Sequence, residues 1–247
     1  MSIEQARFEA ARDKIIGKNR ARQGIGTLSE KTMHAVLKNY YAPDEDMHEI
    51  PIENYVADIY TGAEIIEIQT RSMDRMRKKL EAFLPLYPVT IVYPIPREKW
   101  LYWIDEETGE VSQKRKSPKK GNPYQAFIEL YKIRPFLGNP NLRLRLALID
   151  MEEYRLLNGW SRDKKKGSER FDRIPTEFFE EVCIDCIRDY MQLIPFELPE
   201  QFTVKDFAKC AKIPGRLAGT VLLILHDLEL VRRVGKSGNS YIYEVNE

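Results

Sequence analysis

Cysteine and histidine are scarce in this chain, with three of each in 247 residues. So few thiols exclude a disulfide framework, and an intracellular setting would keep them reduced. No stretch approaches the ~20 consecutive apolar residues of a membrane helix, so no membrane span is expected. The opening segment MSIEQARFEAARDKIIGKNRARQG is a charged helical pattern without the apolar core of a secretory signal; export is not indicated, and the cytoplasm is the expected location. The formal net charge is only +1, which excludes a protein that coats nucleic acid through overall charge. There is no Walker loop, no GxGxxG and no internal repeat. GKSGNS (235–240) has glycines and a lysine, but it joins two strand patterns and reads as a hairpin tip. Cys183-x-x-Cys186 has a zinc-site spacing without a second pair. Both cysteines fall on the apolar side of a predicted helix with Phe179, Val182, Ile187 and Tyr190, which reads as core packing.

What is present is a globular composition, 43% hydrophobic and 31% charged, enough for one large or two modest domains. A helical tail should end near Gly24 and Gly26. In TLSEKTMHAVLKNYYAP, Leu28, Met33, Val36, Leu37 and Tyr40 recur at helical spacing until Pro43. HEIPIENYVADIYTGAEIIEIQT supplies three extended runs broken at Pro51, Asn54 and Thr61-Gly62, an antiparallel meander. A helix with Met73, Met76, Leu80, Phe83 and Leu84 on one face follows, then the β-branched strand PVTIVYPIP. The order is α-β-β-β-α-β. Beyond it the pattern predicts a hairpin turning at Glu107-Thr108-Gly109, a helix from Pro123 to Phe136, the strand LRLRLALIDM, and an amphipathic helix over FFEEVCIDCIRDYMQLI.

The expected organisation is an N-terminal helical extension (1–26), an α/β domain of α+β type with a central mixed sheet (27–160), a basic linker (161–175) and a C-terminal unit (176–247). In that unit Thr203 caps a short helix with Asp206 three residues on, Ile213-Pro214-Gly215 turns, a second helix follows, and the hairpin VRRVGKSGNSYIYEV closes it.

Chemistry concentrates in the meander. Side chains alternate across a strand, so Ile66 and Ile68 share one face as core while Glu67 and Gln69 share the other. A four-residue TGAE loop sets Asp58 directly opposite Glu67; a two-residue loop leaves them diagonal neighbours on the same face. Two carboxylates so placed repel unless a divalent cation or a basic partner offsets them. A hard ion such as Mg²⁺ (or Mn²⁺) takes carboxylate oxygens and water and commonly completes its shell with substrate phosphate. An exposed sheet face with no role is the competing account.

The element order and the Asp58, Glu67-x-Gln69 spacing resemble the PD-(D/E)xK nuclease superfamily, the restriction-endonuclease-like fold that includes Holliday-junction resolvases and many type II restriction enzymes. The resemblance covers residues 27–95. It implies Asp58 and Glu67 as metal ligands and Gln69 at the place of the usual lysine, a substitution that some restriction enzymes of the superfamily carry. Arg71 would lie on the same face if the strand extends so far. Glu30 matches an additional glutamate that the family's first core helix often directs into the site; Thr27-Leu28-Ser29-Glu30 equally fits a capping box. His34 is one turn beyond Glu30. The C-terminal unit resembles a winged helix, which implies a groove approach by the helix starting near Arg216 and backbone contacts by Arg232, Arg233 and Lys236. Two basic stretches add Lys114, Arg115 and Lys116, and Lys164 and Lys165; both fit phosphate contact or a solvated linker. The expectation is a metal-dependent DNA endonuclease with a DNA partner, compatible with a homodimer. The alternatives are a non-catalytic DNA-binding or regulatory protein of the same fold, and a protein-interaction module.

Overall fold

The computed structural model describes residues 3–21, 32–160 and 166–246. Its centre is a mixed sheet in the order β1-β2-β3-β4-β6-β7, with the short β5 paired on β4. The meander is β1 (His48–Ile52), β2 (Tyr55–Tyr60) and β3 (Ile65–Ile68), all antiparallel. Pro51 lies inside β1, opposite Val56. A proline is tolerated there because β1 is an edge strand. β3 then runs parallel to β4 (Val89–Asp105), and β4 parallel to β6 (Leu142–Trp160). The parallel β3-β4 connection passes over the sheet through a 3₁₀ turn (Met73–Met76) and α3 (Arg77–Phe83).

Three layers result. α1 (Ile3–Ala21) and α2 (Thr32–Tyr41) cover one face, where Phe8, Met33, Val36 and Leu37 pack on Ile59, Ile66, Ile68 and Val92. α3 covers the other with Met73, Met76, Leu80, Phe83 and Leu84, all buried as their helical spacing predicts. Residues 123–136 join this layer, but in pieces: 3₁₀ turns flank α4 (Phe127–Leu130), and Pro135 and the non-helical Ile133 prevent a continuous helix. Among the described residues no helix is long and apolar enough to cross a membrane.

The largest departure from expectation is the segment 166–184. The helix expected over 178–194 is instead the end of β7 (Lys166–Ile184), antiparallel to β6, followed by a 3₁₀ turn at Ile187–Leu193. Phe178, Val182 and Ile184 are buried while Phe179, Cys183 and Cys186 are exposed, so the cysteines are not core. From Lys166 onward the segment expected as a linker is likewise strand. β4 is longer than expected as well. It continues through a bulge at Pro96–Lys99 into what reads locally as a separate hairpin strand. The bulge is fixed by Arg97, whose Nε lies 2.7 Å from Asp150 Oδ1 and whose Nη2 bonds Oδ2, and by the Glu98 N–H on the same carboxylate at 3.0 Å.

The C-terminal elements are β8 (Phe202–Thr203), α5 (Val204–Cys210), α6 (Gly215–Asp227), β9 (Val231–Ser237) and β10 (Ser240–Val245), with sheet order β8-β10-β9. Thr203 caps α5 in a capping box with Asp206, as expected. The apolar side of α6 (Val221, Leu222, Leu225) shares one core with Phe127 and Leu130, and Arg134 reaches Asp227 at 3.0 Å.

Candidate active site

Residues 61–64 form the four-residue loop of the β2-β3 hairpin, closed by Thr61 N–H on the Glu64 carbonyl at 3.1 Å. Ile59 pairs with Ile66, so Asp58 stands across from Glu67. Here the ladder opens. Instead of a carbonyl, the Asp58 carboxylate receives the Ile68 N–H, at 2.8 Å, and the same oxygen lies 3.1 Å from His34 Nε2 of α2. Burial pushes the Asp58 carboxyl upward, but the His34 bond and charge, the Ile68 N–H and the Lys79 charge together hold it below the ordinary carboxylate value.

Glu67 is 2% exposed. An isolated carboxylate so buried is strongly disfavoured. Lys79, on α3, answers it with Nζ at 3.0 and 2.8 Å from the two carboxylate oxygens. Burial and the neighbouring Asp58 charge dominate all the same, and the Glu67 carboxyl is pushed up to about 7. The centre is therefore two unlike acids, Asp58 held ionised and Glu67 poised near neutrality, with His34 and Lys79 bonded to one acid each.

Gln69 is placed differently from these four. Its amide nitrogen donates to the carbonyls of Arg71 and of Ser72 (3.1 Å), bracing the loop in which Ser72 adopts φ 59°. Arg71 lies past the end of β3 and lines a cleft with Met33, Thr70, Arg170, Asp172 and Arg173. Glu30 lies outside the described residues, as do Lys164 and Lys165. Among the described residues no three His, Cys, Asp or Glu side chains group as a ready-made metal cage. Asp58 and Glu67 are carboxylates of the kind that a hard cation of the Mg²⁺ class takes along with water and phosphate, though each is already bonded, to His34 and to Lys79. Glu67 in particular is a buried acid whose charge is only partly compensated.

Lys79 and His34 were legible to different degrees. Lys79 is three residues after Met76 and four before Phe83, on the stripe that the helix buries. A lysine on an apolar stripe signals a buried acid opposite. His34 lies beside Met33 at the start of the apolar α2, but nothing local ties it to Asp58.

The basic residues divide by what they touch. Lys114 pairs with Glu152 (2.9 Å) and Lys116 with Glu98 (2.6 Å), both over the Trp100 ring, while Arg115 is exposed on β5. Arg232 pairs with Glu244 at 2.7 Å. Arg233 and Lys236 lie over the exposed Tyr241 ring, at 4.2 and 4.9 Å, and Arg216 is exposed at the first turn of α6.

Fold and site thus define an α+β protein with a mixed sheet between helical layers and a paired-acid centre at the opening of its meander. Residues 31–185, from α2 to the end of β7, match the family described as a domain of unknown function (DUF8091), and the chain belongs to that family. An uncharacterized protein of Treponema pallidum (strain Nichols) is 26% identical over 232 residues, spanning 89% of this chain and 86% of that one. No solved structure matches.

Proposed function

We propose that the protein is a metal-dependent DNA endonuclease of the PD-(D/E)xK type. The observation that carries the proposal is the Asp58–Glu67 pair, at facing register positions where β2 and β3 part, with a lysine on the buried acid. The surrounding order supports it: a meander whose third strand runs parallel to β4, α2 on one face and α3 on the other. In this reading Asp58 and Glu67 hold a Mg²⁺ or Mn²⁺ ion, whose charge would offset that building on the scissile phosphate. Asp58 is kept ionised for this by His34 and the Ile68 N–H. Lys79 supplies the cation that Gln69 lacks, arriving from α3 rather than from β3, and stands beside Glu67 where an attacking water would be oriented. Gln69 shapes the loop that follows. The overall reaction is hydrolysis of a phosphodiester: the water oxygen joins phosphorus, the P–O bond to one sugar breaks, and that sugar oxygen takes a proton.

The C-terminal unit resembles a winged helix in its β8-α5-α6-β9-β10 order, and we assign it a supporting DNA contact. Arg233 and Lys236, stacked on Tyr241 and exposed, are the natural backbone contacts there. Arg232, Lys114 and Lys116 already have carboxylate partners, so their contribution is smaller.

One observation favours a second reading, a DNA-binding protein of this fold without hydrolysis: Lys79 engages both oxygens of Glu67, so an ion must displace one of those bonds. Incubating plasmid, linear and branched DNA with Mg²⁺ or Mn²⁺ separates the two. Cleavage by the wild type that is lost in both Asp58→Ala and Glu67→Ala supports the nuclease; binding without cleavage supports the second reading, and no binding sinks both.

A further inference from the structure

Beyond the acid pair, β6 and β7 build a cationic cluster that the proposed chemistry does not use. Glu153 is fully buried, and four cations converge on it: Arg155 at 2.8 Å, Arg173 at 3.1 Å, Lys99 at 3.3 Å and Arg170 at 3.5 Å. Arg155 is further fixed by the hydroxyl and carbonyl of Ser168, at 2.8 and 2.9 Å. Arg170 and Arg173 also line a cleft to which Thr70 and Arg71 contribute. Arg71 has no ion-pair or hydrogen-bond partner for its guanidinium among the described residues. Asp172, the cleft's one acid, is already engaged by the Thr32 hydroxyl and by the Arg173 N–H at 2.7 Å. Two carboxylates, Glu153 and Asp172, stand against five cations, Lys99, Arg71, Arg155, Arg170 and Arg173, so the group keeps an excess of positive charge. Arg170 is drawn below its usual value by burial and then by the charges of Arg173, Arg71 and Arg155.

Three arginines line the cleft, two of them held by the buried Glu153 and the third, Arg71, with its guanidinium uncommitted among the described residues. Guanidinium forks bind tetrahedral oxyanions bidentately. A bound anion would also offset the excess positive charge. We propose that the Arg71–Arg170–Arg173 cleft is a binding site for a phosphate group.

Its position suggests whose phosphate. Arg71 is four residues from Glu67, at most about 14 Å along the chain. Met33 lines the cleft while the next residue, His34, bonds Asp58. The cleft therefore lies within about 14 Å of Glu67, and a DNA backbone phosphate flanking the one to be cut would occupy it. This assignment of the source rests on the nuclease reading; the phosphate chemistry does not.

The test uses the full chain without divalent metal. Calorimetric titration with inorganic phosphate and with pyrophosphate is compared for wild type, Arg71→Gln and Arg170→Gln. Duplex binding by fluorescence anisotropy across a salt series is measured on the same proteins and on Arg188→Gln, which removes the same charge at an exposed position outside the cleft. Arg71→Gln, which removes no internal bond, keeps the test valid if Arg170→Gln fails to fold. The expected result is a severalfold loss of duplex affinity in Arg71→Gln and a salt slope shallower by about 1, with the Arg188→Gln protein behaving as wild type. Arg71-dependent binding of inorganic phosphate or pyrophosphate with unchanged duplex binding would establish the phosphate site and overturn DNA as its source. Unchanged binding of all three probes in Arg71→Gln would overturn the proposal. If Asp58→Ala and Glu67→Ala leave DNA cleavage intact while the Arg71 effect persists, the acid-pair reading falls and the cleft stands.

Discussion

Replacing Glu67 with glutamine should flatten the pH dependence of stability. The carboxyl titrates at about 7 in the folded protein against 4.5 for the free group, and at 3% side-chain exposure water screens it little. Below pH 4.5 both states are protonated and Glu67 has no cost. As pH rises, the unfolded chain ionises first while the native chain holds its proton, so stability falls between pH 4.5 and 7 and is then level. A shift of this size corresponds to roughly 3 kcal/mol, of which about 2–3 fall between pH 5 and pH 8. Asp58 acts in the opposite sense: its stabilisation is present above the ordinary carboxylate range and lost in acid, below this window. Urea unfolding at pH 5, 6, 7 and 8, followed by tryptophan fluorescence, should show the wild type losing this increment and Glu67→Gln losing little of it. Mg²⁺ at pH 8 should restore stability to the wild type alone. Parallel pH curves for the two proteins would refute the assignment of Glu67 as a strained acid.

Other substitutions probe the frame that holds the site. Asp150→Ala leaves Arg97 and the Glu98 N–H without their shared acceptor inside the β4 bulge, and urea denaturation should show a loss of about 3–5 kcal/mol. Gly121→Ala would put a Cβ 2.1 Å from the Pro96 carbonyl oxygen, a backbone atom that cannot swing aside; destabilisation of about 1–3 kcal/mol or more should appear as a lower melting temperature. Changing both Arg233 and Lys236 to alanine should weaken duplex binding uniformly across sequences and reduce the salt slope by about 2, one per lost phosphate contact, without altering the melting temperature.

The meander, the two helices that flank it and the placement of Asp58 opposite Glu67 were legible because they rest on local signals: period-2 and period-3.6 apolar spacing, a four-residue loop and a few breakers. Residues 178–194 were not. Phe178, Val182 and Ile184 satisfy both a helical and an extended spacing, and the matter is decided by the preceding strand, β6, whose ladder no spacing within 178–194 records. The length of β4 was hidden for the same reason, since its bulge is held by Asp150 from another strand. In the site, the register of Asp58 against Glu67 was readable from the loop length, whereas His34 arrives from a helix and Glu153 gathers its cations from three strands. Tertiary convergence of that kind leaves little trace in local spacing.

The central claim is that Asp58 and Glu67 jointly hold a divalent ion. Calorimetric titration of Mn²⁺ into the wild type, Asp58→Asn and Glu67→Gln at pH 7.5 tests it most directly. About one ion should bind per wild-type chain, with saturable binding lost in both variants. Equal binding in all three proteins, or none in the wild type even with DNA present, would contradict it.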